Sequence, residues 1–331
     1  MLKIHFSPDD LTRVKLLDSP DPLWETVLSL HQLQDRNPDL LFTGWRRRAR
    51  ERIGRSHRYL ATLAPPVGYT ADFLTPGAGF GELEAGIEEL LHTPVKLLAE
   101  DTELLAASRP MPSWSADLAA GRPAARRQLG EAVREYFAET LAPHWSSITA
   151  SVRGDAADRG RTLLRGGVEQ LLATLHPAAR WRAPVLEVDY PVDQELHLGG
   201  RGLVLAPSFF CWRAPVTLRN PELPPTLVYP VARQLGWDSP PSSRSLDNLL
   251  GRTRASVLAA ICTTPGVSTT ELARKLAISA AGASQHATVL RQASLVETRR
   301  EGGTARHSVT TLGSALLESS LTVADLAACR A

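Results

Sequence analysis

The run "STTELARKLAISAAGASQHATVLRQASLVETRREGGTARHSVT", residues 268–310, leaves the chain little choice of local fold. Ser268 stands three residues before Glu271, the spacing at which each side chain satisfies a free amide at a helix start. Leu272 and Leu276 repeat at the helical step. "ISA" then leaves room only for a tight connection before a second helix over about residues 280–293. Beyond it, residues 296–300 and 305–310 read as two strands of a hairpin around Glu301, Gly302, Gly303 and Thr304.

The second helix has two unlike faces. Ala283, Ala287 and Leu290 fall on one side, while Ala281, Gln285 and Thr288 fall on the other with Ser284 beside them. A small, polar face without carboxylates suits close approach to base edges in a major groove. A plain solvated helix would show the same pattern, and the hairpin decides between the two readings. Its arms and tip carry Arg299, Arg300, Arg306 and His307, which suits phosphates flanking the groove. The candidate contacts to double-stranded DNA are therefore Ser279, Ala281, Ser284, Gln285, Thr288, Arg291, Arg299, Arg300, Thr304 and Arg306.

Charge is distributed to match. The 331 residues carry a net charge of only +2, yet residues 246–317 hold eight Lys and Arg against four acids, a local excess of +4. Lysine occurs only at Lys3, Lys15, Lys96 and Lys275, and the Arg, Ala, Gly and Pro bias has the look of GC-rich coding. A single Arg run is weak evidence in such a chain.

"LLGRTRASVLAAI", "TTELARKLAIS", "SQHATVLRQASLVETRREG" and "RHSVTTLG" together resemble the successive elements of the ArsR family of winged helix-turn-helix regulators over about 75 residues. The resemblance implies a homodimer on a pseudo-palindromic operator, acting as a repressor, with Ser284, Gln285 and Thr288 toward DNA and Arg299, Arg300 and Arg306 in the wing. His286 matches a frequent family histidine and is read as packing or touching phosphate. "ELARKLA" lacks the cysteine pair, and the last helix lacks the histidines, through which many family members sense metals. No metal or other cofactor is expected. Gly282 costs about 1 kcal/mol in a helix interior, which implies a loose recognition helix or a close backbone approach.

The preceding residues predict a mainly α fold with minor β: an N-terminal domain over 1–235, a Pro/Ser linker over 236–245 and the winged helix-turn-helix over 246–331. Ser7-Pro8 and Asp21-Pro22 open helices, the second spacing Trp24, Val27, Leu28 and His31 along one face. Leu129, Val133, Phe137 and Leu141 repeat at steps of four. From Pro184 short β-rich runs predict a small antiparallel sheet, with a hairpin in "LHLGGRGLVL" turning at Gly199 and Gly200. "HFSPDDLTRV", "DPLWETVLSLHQLQ" and "LHLGGRGLVLAPSFFCW" resemble the N-terminal region of a group of ArsR-like regulators from high-GC bacteria, which implies the two-domain plan and no chemistry.

No catalytic arrangement is legible. "PGAGFGELEAGI" has no leading strand and no Lys-Ser/Thr to make a phosphate loop, so it reads as a helix entry. Cys211 reads as a buried thiol, and "WRRRARERIGR" as a solvated helix face. Cys211, Cys262 and Cys329 have no metal spacing, and His5, His31, His57, His92, His144, His176 and His197 are scattered. With no apolar run of about 18 residues and no signal-peptide pattern, the expectation is a cytoplasmic protein without a membrane span. The N-terminal domain is expected to control DNA binding through a non-metal, small-molecule effector or through dimer geometry. Two alternatives remain at this stage: an enzyme in residues 1–235 with an appended winged helix, or a winged helix turned to protein contacts.

Overall fold

The computed structural model describes residues 1–35, 40–77, 81–233, 237, 243–301 and 303–318. The chain divides into two compact units, Met1–Asp238 and Ser239–Ala331. Most of the linker expected over 236–245 lies outside the described residues, but its last three positions are already helical.

Unit 1 is mainly helical. It runs β1 (Leu2–His5), α1 (Pro8–Thr12), β2 (Lys15–Leu16), α2 (Pro22–Gln34), α3 (Leu40–Arg52), α4 (Arg55–Leu63), α5 (Leu83–Leu91), α6 (Val95–Ser108), α7 (Trp114–Ala119), α8 (Pro123–Thr140) and α9 (Trp145–Ala173). Six strands follow: β3 (Ala179–Arg182), β4 (Val185–Val188), β5 (Gln194–His197), β6 (Val204–Ser208), β7 (Val216–Thr217) and β8 (Thr226–Pro230).

α2 is the hub. Asp21 caps it by accepting from the Leu23 and Trp24 amides, and the helix is buried on nearly every side rather than along the one face the spacing suggested. Trp45, Phe42, Phe209, Phe210 and Trp237 pack around it in one aromatic cluster. Arg46 in α3 is buried and donates to Gln32 Oε1 at 3.0 Å, so the Arg-rich run is not a wholly solvated face.

The β part differs from the expected antiparallel sheet. There are two four-stranded mixed sheets, ordered β3-β4-β1-β5 and β2-β6-β8-β7, and each takes in a strand from the first sixteen residues. β1 runs parallel to β5 and antiparallel to β4, while β6 runs parallel to both β2 and β8. The expected "LHLGGRGLVL" hairpin does not form, because β5 and β6 belong to different sheets. The reason lies at Gly202, whose φ of +73° and approach to the Arg13 backbone leave no room for a Cβ, which would sit 2.3 Å from the Arg13 carbonyl oxygen. Its amide donates to Asp10 Oδ1 at 2.9 Å, so the crossing loop is anchored to α1 instead of folding back.

Unit 2 comprises α10 (Ser243–Leu250), α11 (Arg252–Thr263), β9 (Val267–Ser268), α12 (Thr269–Lys275), α13 (Ala280–Gln292), β10 (Val296–Glu301), β11 (Thr304–Val309) and α14 (Thr311–Glu318). The first two helices are separated at Gly251, which adopts φ +82° between them. No Trp, Tyr or Phe follows Trp237 in the sequence, so the core of unit 2 is aliphatic. It gathers Val257, Leu258, Ile261, Leu272, Ala283, Leu290, Leu295, Val296 and Leu317.

Candidate nucleic-acid interface

Local chemistry fixes the two helices that matter. Ser268 Oγ accepts from the Glu271 amide at 3.2 Å while Glu271 Oε2 accepts from the Ser268 amide at 2.8 Å, the reciprocal cap the sequence predicts for α12. α12 ends in a Schellman arrangement: the Ile278 amide donates to the Ala273 carbonyl at 3.0 Å, around Ala277 at φ +53°. α13 ends the same way, with the Leu295 amide donating to the Leu290 carbonyl at 2.9 Å around Ser294 at φ +59°. In both helices a non-glycine residue holds the left-handed position, a local strain of about 1–2 kcal/mol that the buried neighbours offset.

Ser279 caps α13, its hydroxyl accepting from the Gly282 amide at 3.0 Å. That assigns the Ser279 side chain a structural duty. It also places Gly282 in the first turn, beneath the cap, rather than in a loose helix interior. Ala283, Ala287 and Leu290 are buried as the spacing predicts, and Ala281, Ser284 and Gln285 are exposed. Thr288 and His286 are half-buried. Val289 and Gln292 are exposed on the same side and went unread in the sequence. Stepping on from Gln285 by four and seven residues would have found them. Val289 offers a branched apolar tip of the kind that contacts a thymine methyl. Arg291, exposed, closes the helix.

β10 and β11 pair in antiparallel register from Val296↔Val309 to Glu301↔Thr304, with β9 joining the far side of β11. Glu301 and Thr304, expected in the turn, therefore pair with each other as strand residues, and Gly302 lies outside the described residues. Arg299 lies opposite Arg306, so alternation puts the two on one face and Arg300, opposite Ala305, on the other. Arg299, Arg300, Thr304 and Arg306 are all exposed. Arg306 donates to the Gly266 carbonyl at 2.8 Å, and Arg299 lies 3.8 Å from Glu297.

His307 departs from the expected basic surface. It is buried, with Nε2 2.9 Å from Thr269 Oγ1 and Nδ1 2.9 Å from Thr298 Oγ1, and it stitches the wing to the start of α12. Burial, aided by the charge of Arg291, holds its pKa below the ordinary histidine value. Its side chain faces inward and is not offered to a nucleic acid.

Unit 1 offers a different kind of surface. An open, unenclosed groove of about 540 Å³ is lined by Tyr69, Asp72, Lys96, Asp101 and Arg219 together with apolar Leu104 and Ala107. Its buried carboxylates are engaged with the backbone. Asp72 Oδ2 accepts from the Arg219 and Asn220 amides at 3.0 and 2.7 Å, and Asp101 accepts from the Phe73 amide and the Tyr69 hydroxyl. Glu25 likewise accepts from the Phe209 and Phe210 amides, at 2.6 and 2.9 Å. Cys211 is buried, and desolvation pushes its thiol up to about 12, far from a nucleophile's range. Half of the "PGAGFG" loop, residues 78–80, lies outside the described residues.

Residues 250–307 match the MarR family model. Unit 2 contains the winged helix-turn-helix domain of a DNA-binding transcription regulator. The matched stretch runs from the end of α10 through β11 to His307 and leaves unit 1 outside it. The resemblance read from sequence was to the ArsR family, and the winged helix-turn-helix is what the two have in common. No curated protein and no solved structure matches the chain. Among the described residues, no helix is long and apolar enough to cross a membrane.

Proposed function

We propose that this chain is a cytoplasmic, sequence-specific transcription regulator whose α13 enters the major groove while the β10–β11 wing tracks adjacent phosphates. The observation that carries the reading is the exposed, carboxylate-free face of α13, followed directly by a wing bearing Arg299, Arg300 and Arg306. Ala281, Ser284, Gln285, Val289 and Gln292 read bases, with Thr288 at the margin. The Arg residues set register on the backbone. The finer resemblance to the ArsR family favours a repressor acting as a homodimer on a pseudo-palindromic operator, since dimerisation spaces two recognition helices about one DNA turn apart.

Unit 1 controls unit 2 in this reading, through a non-metal effector or by setting dimer geometry, and it has no catalytic role. What supports a binding role over catalysis is that Glu25, Asp72 and Asp101 are spent on backbone amides and Cys211 is buried. Selection of duplexes from a random pool with the full chain, followed by footprinting, tests the reading. A two-fold symmetric footprint is expected. Recovery of no enriched sequence, or a monomer in solution at micromolar concentration, counts against it.

A further inference from the structure

We propose a site for a divalent first-row transition metal, of the Zn²⁺ class, at His5, Glu195 and His197 in unit 1. The three residues are far apart in sequence, and the β1–β5 pairing brings them together. His5 stands directly opposite His197 in the parallel register, and Glu195 lies two residues before His197 on the same face of β5. Leu2, Ile4 and Leu196 point the other way into the core, which fixes the outward direction of the three ligands.

The three side chains lie close together on one face, and for both ring nitrogens to meet one ion a ring must turn out of its parallel stack, because lone pairs in parallel planes do not converge. The two imidazoles stack at 4.3 Å with their planes 11° apart. Glu195 Oε2 lies 3.5 Å from His5 Nε2 and 3.7 Å from His197 Nε2. All three ligand atoms fall within 4.8 Å of one another. Metal–nitrogen and metal–oxygen bonds of about 2.0–2.2 Å in a tetrahedron put neighbouring ligand atoms about 3.3–3.6 Å apart, close to the two separations from Glu195 and longer than a good hydrogen bond. His5 Nε2 supplies a second, independent sign: it is itself shielded from solvent and makes no hydrogen bond among the described residues. A shielded ring nitrogen whose nearest acceptor is Glu195 Oε2 at 3.5 Å is poorly satisfied, and a bound cation would satisfy it.

The donor set selects the ligand class. Two imidazoles and one carboxylate suit Zn²⁺, Ni²⁺ or Cu²⁺ and not the all-oxygen preference of Ca²⁺ or Mg²⁺. Glu195 and His197 are well exposed, so solvent completes the fourth position. A metal here ties β1, the first strand of the chain, to β5. The site lies outside unit 2 and departs from the metal-free expectation that scattered histidines gave.

Co²⁺ titration of the full metal-stripped chain tests this. One equivalent of Co²⁺ is expected to produce visible d–d absorption that Zn²⁺ displaces. His197→Ala and Glu195→Gln, both at exposed side chains, are expected to weaken binding by about tenfold or more, with circular dichroism reporting an unchanged fold. The pair His5→Ala with His197→Ala is expected to abolish the signal, while His92→Ala leaves it intact. Zn²⁺ should also raise the Tm of unit 1 in the parent chain and not in the double variant. Absence of saturable binding at micromolar Co²⁺, or equal binding by the parent and Glu195→Gln chains, overturns the proposal.

Discussion

Replacing Arg299 and Arg300 together by alanine is expected to flatten the salt dependence of DNA binding. Both side chains are exposed at the outer end of β10, so their loss leaves the aliphatic core untouched and should move stability by no more than about 0.5 kcal/mol. The ion pair between Arg299 and Glu297 spans 3.8 Å between exposed groups, so it is screened and does not hold the guanidinium away from a phosphate. Each phosphate contact contributes about 0.9 to the slope of log K against log salt, so the double variant loses about 1.8 if both residues touch backbone. Between 50 and 200 mM salt the parent then loses about tenfold more affinity than the variant does, from the same slope. Fluorescence anisotropy of a labelled duplex over a salt series reads this directly. Because Arg299 and Arg300 lie on opposite faces of the strand, the single variants divide the effect and identify the face turned to DNA. A slope unchanged in the double variant, for specific and random duplexes alike, refutes the wing assignment.

Four further outcomes follow from particular contacts. Gln285→Ala is expected to cost about 1–3 kcal/mol on the selected site and almost nothing on random duplex, as competition binding would show. Ala277→Gly and Ser294→Gly, which relieve the two left-handed helix ends, should each stabilise unit 2 by about 1 kcal/mol in a circular dichroism melt; destabilisation would contradict the capping geometry. Gly313→Ala places a Cβ 2.1 Å from the Leu295 carbonyl oxygen and should destabilise unit 2 by about 1–3 kcal/mol in the same melt. Desolvation raises Glu25 from an ordinary 4.5 to about 7, so the unfolded chain releases this proton first as pH rises. Glu25 alone should therefore cost unit 1 about 3 kcal/mol between pH 4.5 and 7, a component of the pH slope that Glu25→Gln removes while the share of Asp72, also raised by burial, remains. Since every Trp lies in unit 1, tryptophan fluorescence during denaturant unfolding isolates that change.

The two units differ in how far their sequences could be read, and the cause is contact range. In unit 2 the Ser268–Glu271 cap, the helical step of Ala283, Ala287 and Leu290, and the hairpin around Gly302 and Gly303 are all set by neighbours within a few residues. What escaped there was alternation. His307 faces inward with Thr298, so a residue grouped with the basic wing belongs to the core. In unit 1 the defining pairings join Leu2–His5 to β4 and β5, and Lys15–Leu16 to β6, across most of the unit. No local period encodes such pairings. That is why "LHLGGRGLVL" looked like a hairpin, and why His5 and His197 looked scattered.

Methylation protection of guanine N7 on a duplex selected by the full chain is the most direct test of where α13 sits. Entry of its carboxylate-free face into the groove predicts protected N7 atoms in two major-groove segments about one helical turn apart, with protection weakened in Gln285→Ala. Guanines that stay fully reactive under saturating protein, with contacts confined to the minor groove, would contradict it.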